Sequence, residues 1–249
     1  MLLEHRINSL VSRYESIGVV VMTDLSKMKR LHKEFFLREG TTVAKELLGK
    51  LLVREYDGKI LVSRIVETES YIGKIDKASH AYGGKITERV KPLYMEGGVA
   101  YVYFIYGLYH CFNIINSVEG DAQGVLVRAV EPILGIDHMS ENRYKKPYED
   151  LTRKQILNLT SGPSKLCIAL DINKDMNTKD LINGTEIYVT EDDFVKGSFD
   201  IVQCKRIGID YAEEAIDFPW RFYIKDNPFV SIKAKKDENV KIINNNGNI

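Results

Sequence analysis

Three absences narrow the field before any motif is considered. Positive charge is not in excess: 35 Lys and Arg balance 35 Asp and Glu, so the chain lacks the overall basicity with which many polyanion binders attract phosphate. Cysteine is scarce. Cys111, Cys167 and Cys204 are an odd number in apolar surroundings without Cys-x-x-Cys spacing, which argues against a disulfide framework or a Cys-based zinc site and predicts the buried, reduced thiols of a cytosolic protein. Long apolar runs are missing too. Ile17 to Met22 is far shorter than the ~18 residues of a membrane span and shows no small-residue cleavage site, so neither export nor membrane insertion is expected. His80 and His110 have no second ligand at helical or turn spacing, and no metal or other cofactor is expected.

The charge that is present is unevenly placed. From Lys74 to Lys91 there are five basic residues (Lys74, Lys77, Lys85, Arg89, Lys91) against Asp76 and Glu88, whereas residues 186–200 hold five acids (Glu186, Glu191, Asp192, Asp193, Asp200) against Lys196. A neutral total therefore conceals a basic face. With 249 residues, 44% of them hydrophobic, and no internal repeat, the chain can bury one large core.

The expected organisation is an N-terminal extension (1–31), with Met22 and Met28 as alternative starts, one domain over 32–233, and a disordered tail (234–249). A short helix is predicted from Thr42 as N-cap to a stop at Gly49. Leu51 to Tyr56, Asp57-Gly58 and Lys59 to Val66 read as a hairpin on its strongest short-range turn signal. A second hairpin is predicted over Val99–Ile105 and Tyr109–Ile115, and a further strand over Gly124–Val130. Helices are predicted near residues 135–144 and after Ser161-Gly162-Pro163-Ser164. Strands are predicted near residues 186–190, 200–207, 221–224 and 229–232. The sum is α/β in the broad sense: a mixed α+β single compact domain with a curved, mostly antiparallel sheet, flanking helices and a protruding β-hairpin.

Chemistry concentrates at two places. If the second strand continues past Val66, Glu67, Glu69 and Tyr71 share a face by period-two alternation. A carboxylate such as Glu69 can orient and deprotonate water while positive charge develops on a sugar; the bland alternative is a solvated strand glutamate. Glu67 is either its structural double or a like charge that raises its pKa. Arg128, among valines, needs an acid or phosphate partner if buried, and otherwise marks an edge strand. About thirty residues after the acids comes Tyr101-Val102-Tyr103-Phe104-Ile105-Tyr106-Gly107-Leu108-Tyr109, then Cys111-Phe112-Asn113. A ring at its tip can wedge into a base stack, though Tyr101 and Tyr103 also suit ordinary sheet packing. Lys165, beside the free N–H groups after Gly162, makes a chemically sensible phosphate anchor or simply opens a helix.

Taken together and in order, Arg64-Ile65-Val66-Glu67-Thr68-Glu69-Ser70-Tyr71, His80, the 101–107 aromatic run, Cys111 to Asn113, Arg128-Ala129-Val130-Glu131-Pro132 and Ser161-Gly162-Pro163-Ser164-Lys165-Leu166 closely resemble the alkyladenine (3-methyladenine) DNA glycosylase family. The resemblance spans about residues 31–233. It implies a monofunctional glycosylase of base excision repair that flips an alkylated or deaminated purine (3-methyladenine type, with 7-methylguanine, hypoxanthine and ethenoadenine as further candidates) from double-stranded DNA. Hydrolysis of the bond to deoxyribose would then leave an abasic site. It further implies Glu69 as general base with Arg128 in the catalytic cluster, and Tyr71, His80 and Tyr103 around the flipped base. Asn113 would crowd the exocyclic amine of guanine, Tyr106 would intercalate, and Lys165 would touch the DNA backbone.

The chain departs from the family pattern at Val90, where asparagine is expected, at Leu93-Tyr94 in place of methionine-phenylalanine, and at Gly97-Gly98 in place of proline-glycine. The expectation is a monomer without cofactor or membrane contact, located in the cytoplasm, at the nucleoid if bacterial. The alternatives are a catalytically silent lesion- or nucleic-acid-binding module of the same fold, and a hydrolase of free or RNA nucleosides.

Overall fold

The computed structural model describes residues 28–105, 107–192, 198–235 and 238–245. Its trunk is one long strand. Asp57 and Gly58 both have positive φ (48° and 71°), the left-handed geometry of a type I′ turn, which folds β1 (Leu51–Tyr56) back on β2 (Lys59–Ile72). Residues 61–70 of β2 are buried without interruption, because the strand has neighbours on both edges and cover on both faces.

β3 (Ala100–Ile105) and β4 (Tyr109–Ile115) form the second hairpin, followed by β5 (Gln123–Leu134), β6 (Ile187–Thr190), β7 (Phe199–Cys204), β8 (Arg221–Ile224) and β9 (Lys241–Asn245). The nine strands make one sheet in the order β3-β4-β5-β2-β8-β7-β9, with β1 paired to β2 and β6 to β1. Every pairing is antiparallel. The result is a mixed α+β single domain built on a large open sheet, with no barrel.

Among the described residues five helices accompany it: α1 (Lys33–Phe36), α2 (Gly40–Glu46), α3 (Ile136–Tyr144), α4 (Arg153–Leu157) and α5 (Pro163–Ala169). The main core joins Phe36, Val43, Leu47, Leu166 and Cys167 from this layer to Phe112, Val127 and Phe222 of the sheet. Helix α2 lies close on β2, where Thr68 Oγ1 donates to Ala44 O at 2.7 Å. A Cβ on Gly40 would come within 2.5 Å of Ser70 Oγ, so that approach requires glycine. On the other side, segments 78–101 and 207–218 form two smaller clusters, one around Tyr101 and Leu93, the other around Ala78 and Ala212 with Tyr71 against it.

Four local expectations change. Thr42 is not the N-cap of α2; the Glu39 carboxylate accepts from Thr42 N at 3.0 Å, its longer side chain reaching back over the first turn. Residues 229–232 form no strand, because Phe229 and Val230 enter the core while Ser231 N–H donates to a carboxylate (Glu67 Oε2, 2.7 Å). The tail, expected to be disordered from residue 234, supplies β9, which completes the open edge of β7; Ile243 packs on the core and Ile242 faces out. At the other end, residues 28–31 belong to the domain and not to the extension: Leu31 N donates to Val189 O at 3.0 Å, and Met28 and Leu31 are buried. The three cysteines are free and buried. No helix among the described residues is long and apolar enough to cross a membrane.

Candidate active site

Two irregularities in the β2–β5 ladder build the site. Ile65 faces Val130 and Glu67 faces Ala129, so Val66 is an extra residue on β2; Thr68 then faces Val127, so Arg128 is the extra residue on β5. Bulges re-aim side chains and increase twist. Here they leave Ile65 and Val66 both in the main core and turn Arg128 toward the acids. Beyond the bulge alternation resumes. Thr68 points at α2, and Glu67, Glu69 and Tyr71 project to the opposite face, as the period-two pattern requires.

Arg128 lies between the two carboxylates, with Nε 3.3 Å from Glu67 Oε1 and Nη1 3.2 Å from Glu69 Oε2. All three side chains are buried. Burial opposes the Arg128 charge, but Glu69 and then Glu67 outweigh it and hold its pKa above the usual arginine value. Glu67 is the structural double. Oε1 also accepts from Arg221 Nη1 at 3.1 Å and Oε2 from Ser231 N, so its partners besides Arg128 come from β8 and from the backbone at residue 231.

Glu69 likewise has three donors among the described residues, but a different set. Oε2 accepts from the Tyr71 hydroxyl at 2.9 Å and from Arg128, while Oε1 accepts the backbone N–H of Ile207, at 2.8 Å. A carboxylate offers about four lone-pair positions, so each acid has room for one more donor, and Glu69 is the one tied to Tyr71, which lines the adjoining cleft. Burial, and next the Glu69 charge, push the Tyr71 phenol well above its ordinary pKa, which keeps it a donor.

Removing Arg128 leaves two buried acids facing each other. Arg128→Met is expected to cost about 3–5 kcal/mol of folding free energy, the usual penalty for breaking a buried ion pair from one side. Urea denaturation measures it, and a loss below about 1 kcal/mol would contradict the buried pairing.

A cleft adjoins this centre, lined by Tyr71, Ser79, His80, Leu93, Tyr103 and Asn113, with Tyr101 and Gly124 also in its wall. Register explains the neighbourhood: Tyr101, Asn113, Leu126, Glu69 and Arg221 are successive cross-strand partners on β3, β4, β5, β2 and β8. Asn113 therefore lies two strands, about 10 Å, from Glu69. Its amide is oriented by donation to Tyr101 O at 3.1 Å. His80 packs edge-on against Tyr103 (centroids 4.7 Å apart) and its Nδ1 meets the Tyr101 hydroxyl at 3.0 Å. Burial, then Arg89 and Lys85, lower the His80 pKa to about 4, so its imidazole is neutral near pH 7. The Arg89 guanidinium lies 5.3 Å from the Tyr103 ring centroid, which carries the basic 74–91 segment to the mouth of the cleft.

The structure thus brings together Glu69, Arg128, Tyr71, His80, Tyr103 and Asn113. Tyr106 lies outside the described residues; of the residues after it, Gly107 is at φ +67° with no atom within 4 Å of a virtual Cβ, and Leu108 is 72% exposed. Lys165 stands apart from the cleft on α5, its Nζ donating to Asn158 Oδ1 at 2.6 Å; burial, then Arg143, lower its pKa. Val90 and Leu93, two of the departures from the family pattern, are buried beside Tyr101, and Leu93 forms cleft wall.

Sequence reasoning missed Ile207, Arg206, Asp76 and Arg221. The predicted strand 200–207 ends at Cys204, and leaving the sheet frees the Ile207 N–H for Glu69. In the sequence Asp76 is simply one of two acids within a basic segment. No local pattern distinguishes these residues.

Comparison with known proteins decides the family. A model of the methylpurine-DNA glycosylase family matches residues 34–228. The chain belongs to that family. It is accordingly a DNA glycosylase, a hydrolase of N-glycosyl bonds with DNA as substrate and a place in base excision repair. A Clostridium tetani protein is 58% identical over 204 residues, covering 82% of this chain and 100% of its own length. One from Clostridium botulinum strain Loch Maree is 56% identical over 204 residues with the same coverage. Another, from strain Alaska E43, is 58% identical over 203 residues, with 82% and 99% covered. Each carries the name "Putative 3-methyladenine DNA glycosylase".

Proposed function

We propose that this protein is a monofunctional glycosylase that, acting as a monomer, turns an alkylated purine out of duplex DNA into the Tyr71–His80–Tyr103–Asn113 cleft and hydrolyses its bond to deoxyribose with Glu69 as general base. The observation that carries the proposal is that Glu69 is tied through the Tyr71 hydroxyl to the wall of the cleft and still has an acceptor position. Oε2 is held by Tyr71 and Arg128 while Oε1 keeps an acceptor position for the proton of an attacking water. Positive charge that develops on the sugar is stabilised by the same carboxylate.

The leaving group defines the substrate class. A purine alkylated at N3 or N7 is a cation and departs as a neutral base, so no acid need protonate it. Stacking on the electron-rich faces of Tyr71 and Tyr103 favours such a cation by about 0.5–2 kcal/mol over a neutral base. Extrusion also needs something to hold the gap in the duplex, and Tyr106, which follows β3 in the sequence, is assigned that part. Tyr106→Ser is expected to weaken capture of the extruded nucleotide by about 1–3 kcal/mol, the scale of base–aromatic stacking. Fluorescence of a 2-aminopurine beside the lesion reads this directly, and unchanged binding and single-turnover rates would argue against the wedge.

The proposal is tested by incubating the protein with duplex DNA containing 3-methyladenine or 7-methylguanine. Free methylpurine and alkali-labile abasic sites are expected. Strand breaks formed without alkali would refute the monofunctional assignment. Tight binding without base release would indicate a silent lesion-binding module instead, and faster release from free nucleosides than from duplex would indicate a nucleoside hydrolase.

A further inference from the structure

We infer that Arg206, locked by Asp76, is a positioning residue for Glu69: one guanidinium sets two of the three hydrogen bonds that orient the carboxylate. This deepens, and rests on, the proposed role of Glu69 as general base.

The pair is wholly buried, with both side chains at 0% exposure. Arg206 Nη1 donates to Asp76 Oδ2 at 2.6 Å and to Ser70 O at 2.9 Å; Nη2 donates to Asp76 Oδ1 at 2.7 Å and to Ala215 O at 3.2 Å. This is a bidentate fork, a planar geometry that arginine supplies and lysine does not.

Two routes run from it to Glu69. The guanidinium carbon lies 4.7 Å from the centroid of the Tyr71 ring, with Trp220 5.1 Å away, and the Tyr71 hydroxyl donates to Oε2. The next residue in the chain is Ile207, whose N–H donates to Oε1. Anchoring Arg206 thus fixes the peptide that holds one oxygen and the ring that holds the other. Asp76 extends the clamp to the cleft wall, since Oδ1 also accepts from Ala78 N at 2.9 Å and Asp76 O from Ser79 N at 2.8 Å. That turn delivers Ser79 and His80 to the base pocket.

The test compares wild type, Arg206→Lys, Asp76→Asn and their double variant in single-turnover release of an alkylated purine from duplex DNA. Rates are normalised to the fraction competent to bind a duplex holding a tetrahydrofuran abasic analogue. Arg54→Lys serves as control: Arg54 is a buried arginine on β1 that donates to Glu55 O and Glu186 O and touches no residue of the site.

Each clamp variant is expected to lower the normalised rate about tenfold to a hundredfold, as small misplacements of catalytic groups do, with little change in affinity for the analogue duplex. The double variant should fall no further than the single ones, since one unit is broken only once. Arg54→Lys should lower the melting temperature and leave the normalised rate alone. Amide exchange at Ile207 should accelerate in the clamp variants. If Arg206→Lys does not accumulate folded, the isosteric Asp76→Asn decides the matter by itself. Wild-type rates per competent molecule in the clamp variants would overturn the inference while leaving the role of Glu69 intact. No base release by wild type would overturn the reading of the site and the clamp with it.

Discussion

Glu69→Gln is expected to lower single-turnover release of an alkylated purine from duplex DNA by about 10²–10⁴-fold, the range contributed by a positioned general base. The amide keeps the shape of the side chain but cannot take a proton from water. Nor can it satisfy the site. All of the Glu69 partners are donors (Ile207 N–H, Tyr71 O–H and Arg128 Nη1), so an NH₂ placed at either oxygen opposes at least one of them. A loss of stability should accompany the loss of rate. The two are separable because Glu69 is fully buried and does not form the surface DNA would meet; affinity for a duplex containing an abasic analogue should stay close to wild type. Quench-flow measurement at saturating enzyme reads the rate directly. A rate within about threefold of wild type would remove Glu69 from the chemistry. Glu67 is a poor substitute for it, because its donors Arg128, Arg221 and Ser231 N do not line the cleft.

The second large effect concerns the leaving group. Among the described cleft residues, no side chain is suited to protonate a departing base near neutral pH. Burial, then Arg89 and Lys85, bring His80 down to about 4. Above that value its imidazole is neutral, and its Nδ1 already meets the Tyr101 hydroxyl. Burial raises the phenols of Tyr71 and Tyr103, which makes them weaker acids still. Cationic 3-methyladenine and 7-methylguanine should therefore be released about 10²–10⁴-fold faster than neutral hypoxanthine at pH 7.5, the deficit matching the contribution of an absent general acid.

The sign of the pH dependence follows. For a neutral base, release should rise as pH falls, because solvent protonates the purine ring. For a cationic base the rise should be absent. Parallel pH–rate profiles for 7-methylguanine and hypoxanthine in the same sequence context check this. Equal rates at pH 7.5 would mean that an acid exists which the cleft does not reveal.

The two hairpins were legible because each rests on local physics: Asp57-Gly58 demands a left-handed turn, and the aromatic alternation from Tyr101 to Ile105 matches a pleated strand. Glu67, Glu69 and Tyr71 share a face for the same reason. The strand expected over 229–232 failed because burial of Phe229 and Val230 needs no ladder, and the Ser231 N–H is better placed on a buried carboxylate. β9 was missed because its pairing depends on β7, about forty residues earlier in the chain. Thr42 was misjudged as a cap since a glutamate three residues earlier reaches the same N–H.

By itself the sequence determined the strand carrying the acids, the aromatic hairpin, the family and the type of reaction, because turn chemistry, side-chain alternation and ordered motifs act over short stretches of chain. Only the tertiary structure decided which glutamate is tied to the cleft through Tyr71, that Arg128 is a bulge residue between two acids, and that Asp76 and Arg206 stand behind the Glu69 carboxylate. Those outcomes depend on which charges are buried together, and burial is set by the packing of segments as much as 164 residues apart, as between Glu67 and Ser231.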